Sequence, residues 1–357
     1  MNRFKNNKKF RDNIITYLLV IVIFAVVESL KATGHISSLM KGLLVPVCIY
    51  IICAIALNLC VGILGELSLG HAGFMCVGAF SGAFFSKCTA EVITVAPVRF
   101  ILAIIIGALV ASLFGFLIGI PVLRLKGDYL AIVTLAFGEI IKNVINVLYV
   151  GKDSEGFHFS LKDMVSLHLK EGGQVIINGA QGITGTPNDS SFEAGFVLII
   201  LTLFIVLNLI DSRDGRAIMS IRDNTIASES VGINVTRYKL MAFTISAGIA
   251  GVAGVLYAHN LNSLMAQPKN FGYNMSITIL LFVVLGGIGN IRGSIISAAV
   301  LTLLPELLRG LADYRMLIYA IVLIILMIFN WSPAILELRK KYSVRNFIKN
   351  KKTKEVE

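Results

Sequence analysis

Long apolar runs alternate with short polar stretches along almost the whole of this chain. The runs fall at 14–27, 43–64, 65–86, 97–120, 127–150, 192–210, 240–258, 275–285, 294–308 and 314–329. Each reads as a helix apolar enough to enter a bilayer, because a continuous apolar stretch has no wet face to offer in water. The pattern predicts an all-α polytopic membrane protein of about ten transmembrane helices. Residues 1–12 form a basic tail, 13–338 the transmembrane domain and 339–357 a second basic tail, read as disordered beyond 349. A basic stretch before an apolar run also opens a signal peptide. No small-x-small cleavage site follows this one, so the first run reads as a retained span.

Two polar interruptions are longer than simple connectors. One is 151–191, which ends in NGAQGITGTPN; its closely spaced glycines read as a turn or as a re-entrant gate segment. The other is 211–239, DSRDGRAIMSIRDNTIASESVGINVTRYK. Here 216–222 makes two helical turns, Asn224 caps a second piece over 225–231, and Gly232 ends it in the left-handed conformation. Asn234 or Thr236 caps the next span. A polar segment with this much internal order is a folded docking surface.

Composition sharpens the picture. Of the 357 residues, 56% are hydrophobic and 15% charged, which a soluble domain has no means of covering. The net charge of +11 sits in the two tails and in the polar loop, as the positive-inside rule requires, and not on a face suited to nucleic acid. With the first tail in the cytoplasm, ten spans return the last tail there and place 211–239 on the same side, with 151–191 outside. A bacterial plasma-membrane protein with both termini cytoplasmic is the expectation. Two halves of five spans then run in opposite directions, and VGILGELSLGHAG at 61–73 shares its glycine rhythm with VLGGIGNIRGS at 284–294. Inverted five-helix halves of this kind enclose a transport path in many carriers.

The chemistry is sparse. No GxxxxGK[ST] loop, catalytic constellation or metal-ligand spacing is present, so neither an enzyme nor a metal site is expected. The five cysteines make no CxxC pair, and four of them lie inside apolar runs as small buried hydrophobes. Gly248, Gly251 and Gly254, like Gly78 with Gly82 and Gly115 with Gly119, line one helix face each and suit close helix packing. Ionisable groups inside spans are costly unless sheltered. Glu66 reads as a residue of the turn between the second and third spans. His71 either faces a cavity or bonds a carbonyl. Glu139 and Lys142, three apart on one helix face, read as an interior pair. The candidate translocation path is therefore Ser68, Gly70, His71, Gly73, Glu139 and Lys142, with Gly182 and Thr184 from the polar segment.

Several stretches together resemble one family: LNLCVGILGELSLGHAGFMCVGAF (57–80), LKGDYLAIVTLAFGEIIKNVI (125–145), NGAQGITGTP (178–187), 215–258 and LLFVVLGGIGNIRGSIISA (280–298). In this order they are similar to the LivM-type permease subunits of branched-chain amino-acid ABC importers, leaving about forty N-terminal and twenty C-terminal residues outside. The resemblance implies transport of leucine, isoleucine or valine, with relatives that carry urea or amides, nucleosides or simple sugars. It implies a second related permease, two cytoplasmic ATP-binding subunits that hydrolyse the ATP, an extracytoplasmic substrate-binding protein, and no cofactor on this chain. It assigns 223–232 to the helix that couples to the ATPase, within a loop carrying Gly215, Arg216, Arg222, Asp223, Asn224, Ala227, Ser228, Glu229, Gly232 and Arg237. Thr225 and Ser228 depart from the family's run here, and Glu66 stands where its motif has glutamine. A passive channel would not need this loop. An ion-coupled carrier would use Glu139.

Overall fold

The computed structural model describes residues 2–34, 37–125, 127–170, 173–311 and 314–331; the tail at 339–357 lies outside the described residues. Helix α1 spans Asn2–Ala32 and α2 Ser38–Asn58, continued by a π-helical stretch, Leu59–Leu64. Then come α3 (His71–Cys88), α4 (Ala96–Val122) and α5 (Asp128–Asn146). Strands β1 (Tyr149–Lys152), β2 (Phe157–Ser160), β3 (Gln174–Asn178) and β4 (Ile183–Thr184) follow. The chain re-enters helix in α6 (Phe192–Asp211), α7 (Arg213–Asp223), α8 (Thr225–Ser230) and α9 (Val235–Ala258). After β5 (Ser263–Leu264) come α10 (Pro268–Phe271), α11 (Tyr273–Gly286), α12 (Ile291–Leu307) and α13 (Arg315–Trp331). The chain divides into the units Met1–Thr302 and Leu303–Glu357, the second holding the end of α12 and α13.

The protein is mostly helical rather than all-α. Among the described residues six helices are long and apolar enough to cross a membrane, including 13–32 of α1, α2 with its π extension, α4, α6, α9 and the interrupted α10–α11.

At the centre of the first unit α3, α4 and α9 meet through glycine. A Cβ on Gly251 would lie 2.4 Å from Ala111 Cβ, and one on Gly78 2.4 Å from the Gly251 Cα. Gly254 and Gly107 meet equally close neighbours, so the backbones themselves are in contact. In lipid, where tails are as apolar as leucine, such contact is what holds helices together. The expected packing role of Gly248, Gly251 and Gly254 is what the structure has. Helix α2 is buried over 89% of its most apolar window, against 28% for α4 and 11% for α1, so α2 is the core helix and the others offer broad apolar faces.

The sequence expectation differs from the structure at two places. The run 65–86 is not one helix: Gly65 takes φ +83, residues 66–70 are non-helical, and α3 begins only at His71. Glycine favours that left-handed turn because it has no Cβ to clash. The segment 151–191 is folded as well. β1 pairs antiparallel with both β2 and β3, with a bulge between Val150 and Gly151, and Val150, Leu167, Ile176 and Ile177 are buried. The glycine-rich end of this segment is not a free turn, since β4 pairs with β5 through Ile183 and Leu264. Strands of two to five residues carry too little alternation to stand out beside spans of twenty.

Candidate functional site

The polar loop between α6 and α9 is a capped, preformed surface. Ser212 accepts the Gly215 N–H at 3.0 Å to start α7, and Asn224 accepts the Ala227 N–H at 3.0 Å to start α8. Helix α8 closes in a Schellman motif: the Gly232 N–H reaches Glu229 O and the Ile233 N–H reaches Ser228 O, both at 3.0 Å, with Gly232 at φ +84. Asn234 then caps α9 through the Arg237 N–H. Ile218 and Ile221 anchor α7 inward, whereas Ile226 and Val231 are 80% and 74% exposed. Glu229, Asp223 and Arg237 are also exposed. Ile226 on α8 and Val231 at its C-cap are thus held outward among exposed charged side chains.

The loop is fastened to the corner between α2 and α3. Arg222 donates from Nη1 to the Gly62 carbonyl at 2.8 Å and from Nη2 to Asp223 Oδ1 at 3.0 Å. Lys239, in the first turn of α9, pairs with Glu66, the two side chains being 11% and 14% exposed. Corner, loop and the α4–α5 turn enclose a cleft of about 690 Å³ lined by Glu66, Arg124, Asp128, Arg222, Glu229 and Lys239. Glu66 does lie in the turn expected of it, but with a buried partner 173 residues away.

The six path candidates at 68–73 and 139–142 come together around the start of α3. Gly70 and Gly73 lie directly on α5: a Cβ at Gly70 would be 2.7 Å from Thr134 O, and one at Gly73 2.6 Å from Gly138 Cα. Ser68 Oγ is 3.3 Å from His71 Nδ1, and His71 Nε2 is 2.7 Å from Ser246 Oγ. Ser246 gives its own proton to Ala56 O at 2.5 Å, so His71 donates from Nε2 and accepts at Nδ1. Both ring nitrogens of the neutral imidazole are thereby used. Neither role read from the sequence, a cavity or a carbonyl, is the one His71 has: its partners are two serine hydroxyls.

Glu139 and Lys142 do pair. Lys142 is buried, and the other Glu139 oxygen accepts the Tyr273 N–H at 2.8 Å, where α11 starts after the break at Gly272. A carboxylate at a helix N-terminus satisfies an orphan amide and complements the dipole. Gly182 and Thr184 lie elsewhere. Thr184 O accepts from Lys87 at the far end of α3, about 24 Å from His71 at 1.5 Å per residue.

Sequence reasoning missed the small polar residues that complete this cluster. Thr134 accepts the Leu69 N–H, Ser276 accepts the Ala72 N–H, and Asn58 bridges the Gly289 N–H and Ser294 Oγ. Their one signal is that they are polar residues inside apolar runs.

The chain matches the family model described as "Branched-chain amino acid transport system / permease component" over residues 39–329. It is 35% identical over 294 residues to the high-affinity branched-chain amino acid transport system permease protein LivM of Salmonella typhimurium and to that of Escherichia coli; in each case 80% of this chain and 67% of the relative are covered. It is 26% identical over 211 residues to the nucleoside ABC transporter permease protein NupC of Lactococcus lactis, covering 56% of this chain and 60% of that one. No solved structure matches.

Proposed function

We propose a function from one premise: this chain belongs to the family of permease components of branched-chain amino acid transport systems. The chain is one membrane subunit of an ATP-driven importer of leucine, isoleucine and valine. It performs no bond chemistry and binds no cofactor. Its work is to be stabilised differently in two states, which is all that coupling requires. The observation that carries this reading is α8, a capped helix that projects Ile226 and Val231 from the membrane body. Such a surface suits a chain that lacks an ATP site and must receive motion from a subunit that has one.

In this reading 13–338 is the transmembrane domain, its ten spans form two inverted halves, and both basic tails and α7–α8 face the cytoplasm. Two ATPases dock there, and a binding protein delivers amino acid to the opposite face, where β1–β5 lie. A second, related permease completes the path along the face of α5 and α11. Support for that face comes from its exposed polar residues: Asn143, Tyr273 and Asn274 stand beside the half-sheltered Glu139. Interrupted helices with capped inner ends, like α10–α11, are recurrent at transport sites. The Glu139–Lys142 pair, one charge of each sign, suits a zwitterion, with Ser68, Gly70, His71 and Gly73 supporting it from behind.

The test is to purify the chain from its native membrane and reconstitute what comes with it. Copurifying ATPases and ATP-dependent leucine uptake are expected. If no ATPase accompanies the chain, the reading fails. The likeness to a nucleoside permease gives one competitor, so unlabelled nucleosides belong in the uptake assay. Competition by isoleucine and valine but not by nucleosides is the expected result.

A further inference from the structure

The corner between α2 and α3 gathers more constraints than any turn needs. Its inner wall is the π-helical stretch Leu59–Leu64, a wider winding that costs backbone hydrogen-bond geometry and recurs at functional sites. Arg222 from α7 reaches into it to bond the Gly62 carbonyl. Gly65 has φ +83, and a Cβ there would sit 2.4 Å from Arg222 Cγ, so glycine serves both the turn and the close approach of the arginine. Glu66, the next residue, holds Lys239 at the start of α9. The loop is thus pinned to this corner twice, near its middle at Arg222 and where it runs into α9 at Lys239. On the other side of the same stretch, Gly62 lies against Gly289, and Asn58 holds the Gly289 N–H and Ser294 Oγ in the reversal between α11 and α12. Beyond Glu66, residues 67–70 lead to Leu69, whose N–H is held by Thr134 on α5.

We propose that the Glu66–Lys239 pair and the Arg222–Gly62 bond form the joint through which the α7–α8 loop moves the α2–α3 corner. Glu66, Lys239 and Arg222 are then positioning residues for coupled transport. When α8 is displaced, α7 and the first turn of α9 carry Arg222 and Lys239 with them, and the corner follows because both attachments are to it. The start of α3 and the α11–α12 reversal are tied to that corner and move together, while α5 is reached through Thr134. A surface ion pair would serve poorly as such a joint, since water and salt weaken it. The Glu66–Lys239 pair is nearly enclosed, so separating its charges leaves each without a partner in a sheltered place, and the pair stays closed under load. The π-helical stretch beside it is the part of α2 best able to change its winding.

This inference rests on the proposed ATP-driven function, and the experiment separates the two. The assembled importer, purified with its partners, is reconstituted in liposomes, and leucine uptake and ATP hydrolysis are measured together. Glu66→Lys and Lys239→Glu are each expected to leave hydrolysis largely intact while uptake per ATP falls about tenfold, within the range typical of coupling between sites. The exchange of both, Glu66→Lys with Lys239→Glu, restores the pair in reverse and is expected to recover most of the ratio. Glu66→Met and Lys239→Met serve if the reversed charges prevent insertion, and the same fall in ratio is expected of them. An unchanged ratio in all single variants overturns the proposal. So does an equal loss of uptake and hydrolysis that the double exchange does not repair, the result of a purely structural brace. Absence of ATP-driven uptake in the unmodified assembly overturns the function itself, and this proposal with it.

Discussion

His71 shows how a residue that invites a functional reading can be absorbed by the core. Its two ring nitrogens are satisfied by Ser68 and Ser246, and it is 1% exposed. His71→Ala removes one partner from each of two buried hydroxyls, which costs about 1–3 kcal/mol for an unsatisfied group. The expected outcome is a lower melting temperature in detergent with uptake retained at low temperature; lost uptake at an unchanged melting temperature would instead put His71 in contact with substrate. A second residue-scale prediction concerns pH. Burial acts to raise the Asp153 carboxyl, but hydrogen bonds from the Glu155 and Lys170 amides and from His158 outweigh it and hold it below its ordinary value. Ser166, through its hydroxyl and its amide, does the same for Asp163. A depressed folded pKa means that the stabilisation is complete above the unfolded value and is lost as pH falls through the folded one. Protection of the β1–β3 amides, taken relative to intrinsic exchange at each pH, should therefore fall below about pH 4, and Asp153→Asn should flatten that dependence.

At the scale of elements, the glycines of α3, α4 and α9 decide how near the helices come. Gly251→Leu places a side chain where a Cβ alone already meets Ala111 at 2.4 Å and the Gly107 carbonyl at 2.8 Å. Overpacking of this kind costs about 1–3 kcal/mol at sites that relax and more at those that cannot. Expression of folded protein, read by gel filtration in detergent, should collapse. Gly42 is the control: it lies in α2, and a Cβ there would meet nothing within 4 Å. Gly42→Ala should raise stability by about 0.5–1 kcal/mol through helix propensity. The caps of the polar loop were legible because their rule is local: Asn224, Gly232 and Asn234 occupy the positions their chemistry demands. The β1–β3 sheet was not, since its pairing joins residues as far apart as Tyr149 and Asn178 and its strands are too short to show a period.

For the molecule as a whole, the prediction lies at Gly232. Proline there has φ near −65°, incompatible with the observed +84°, and it lacks the N–H that bonds Glu229 O. Gly232→Pro is expected to insert and fold yet to lose ATP-driven uptake, because α8 no longer ends in the shape that docks. Normal uptake by this variant would count against the role given to α8.

The order of residues alone is enough to place the chain in a membrane, to locate most of its helices and to name Asn224 and Gly232 as caps within the polar loop. All of these follow from hydrophobicity and from interactions within a few residues of each other. Which apolar helix forms the core is settled only in three dimensions. The α2 and α4 windows are equally apolar, at mean hydropathy 2.7 and 2.8, yet one is 89% buried and the other 28%. The break in the run 65–86 and the meeting of Glu66 with Lys239 are settled there too. In lipid a helix face gains nothing from apolarity alone, so burial depends on which backbones can touch. A pair formed across 173 residues leaves no periodic trace in the chain that makes it.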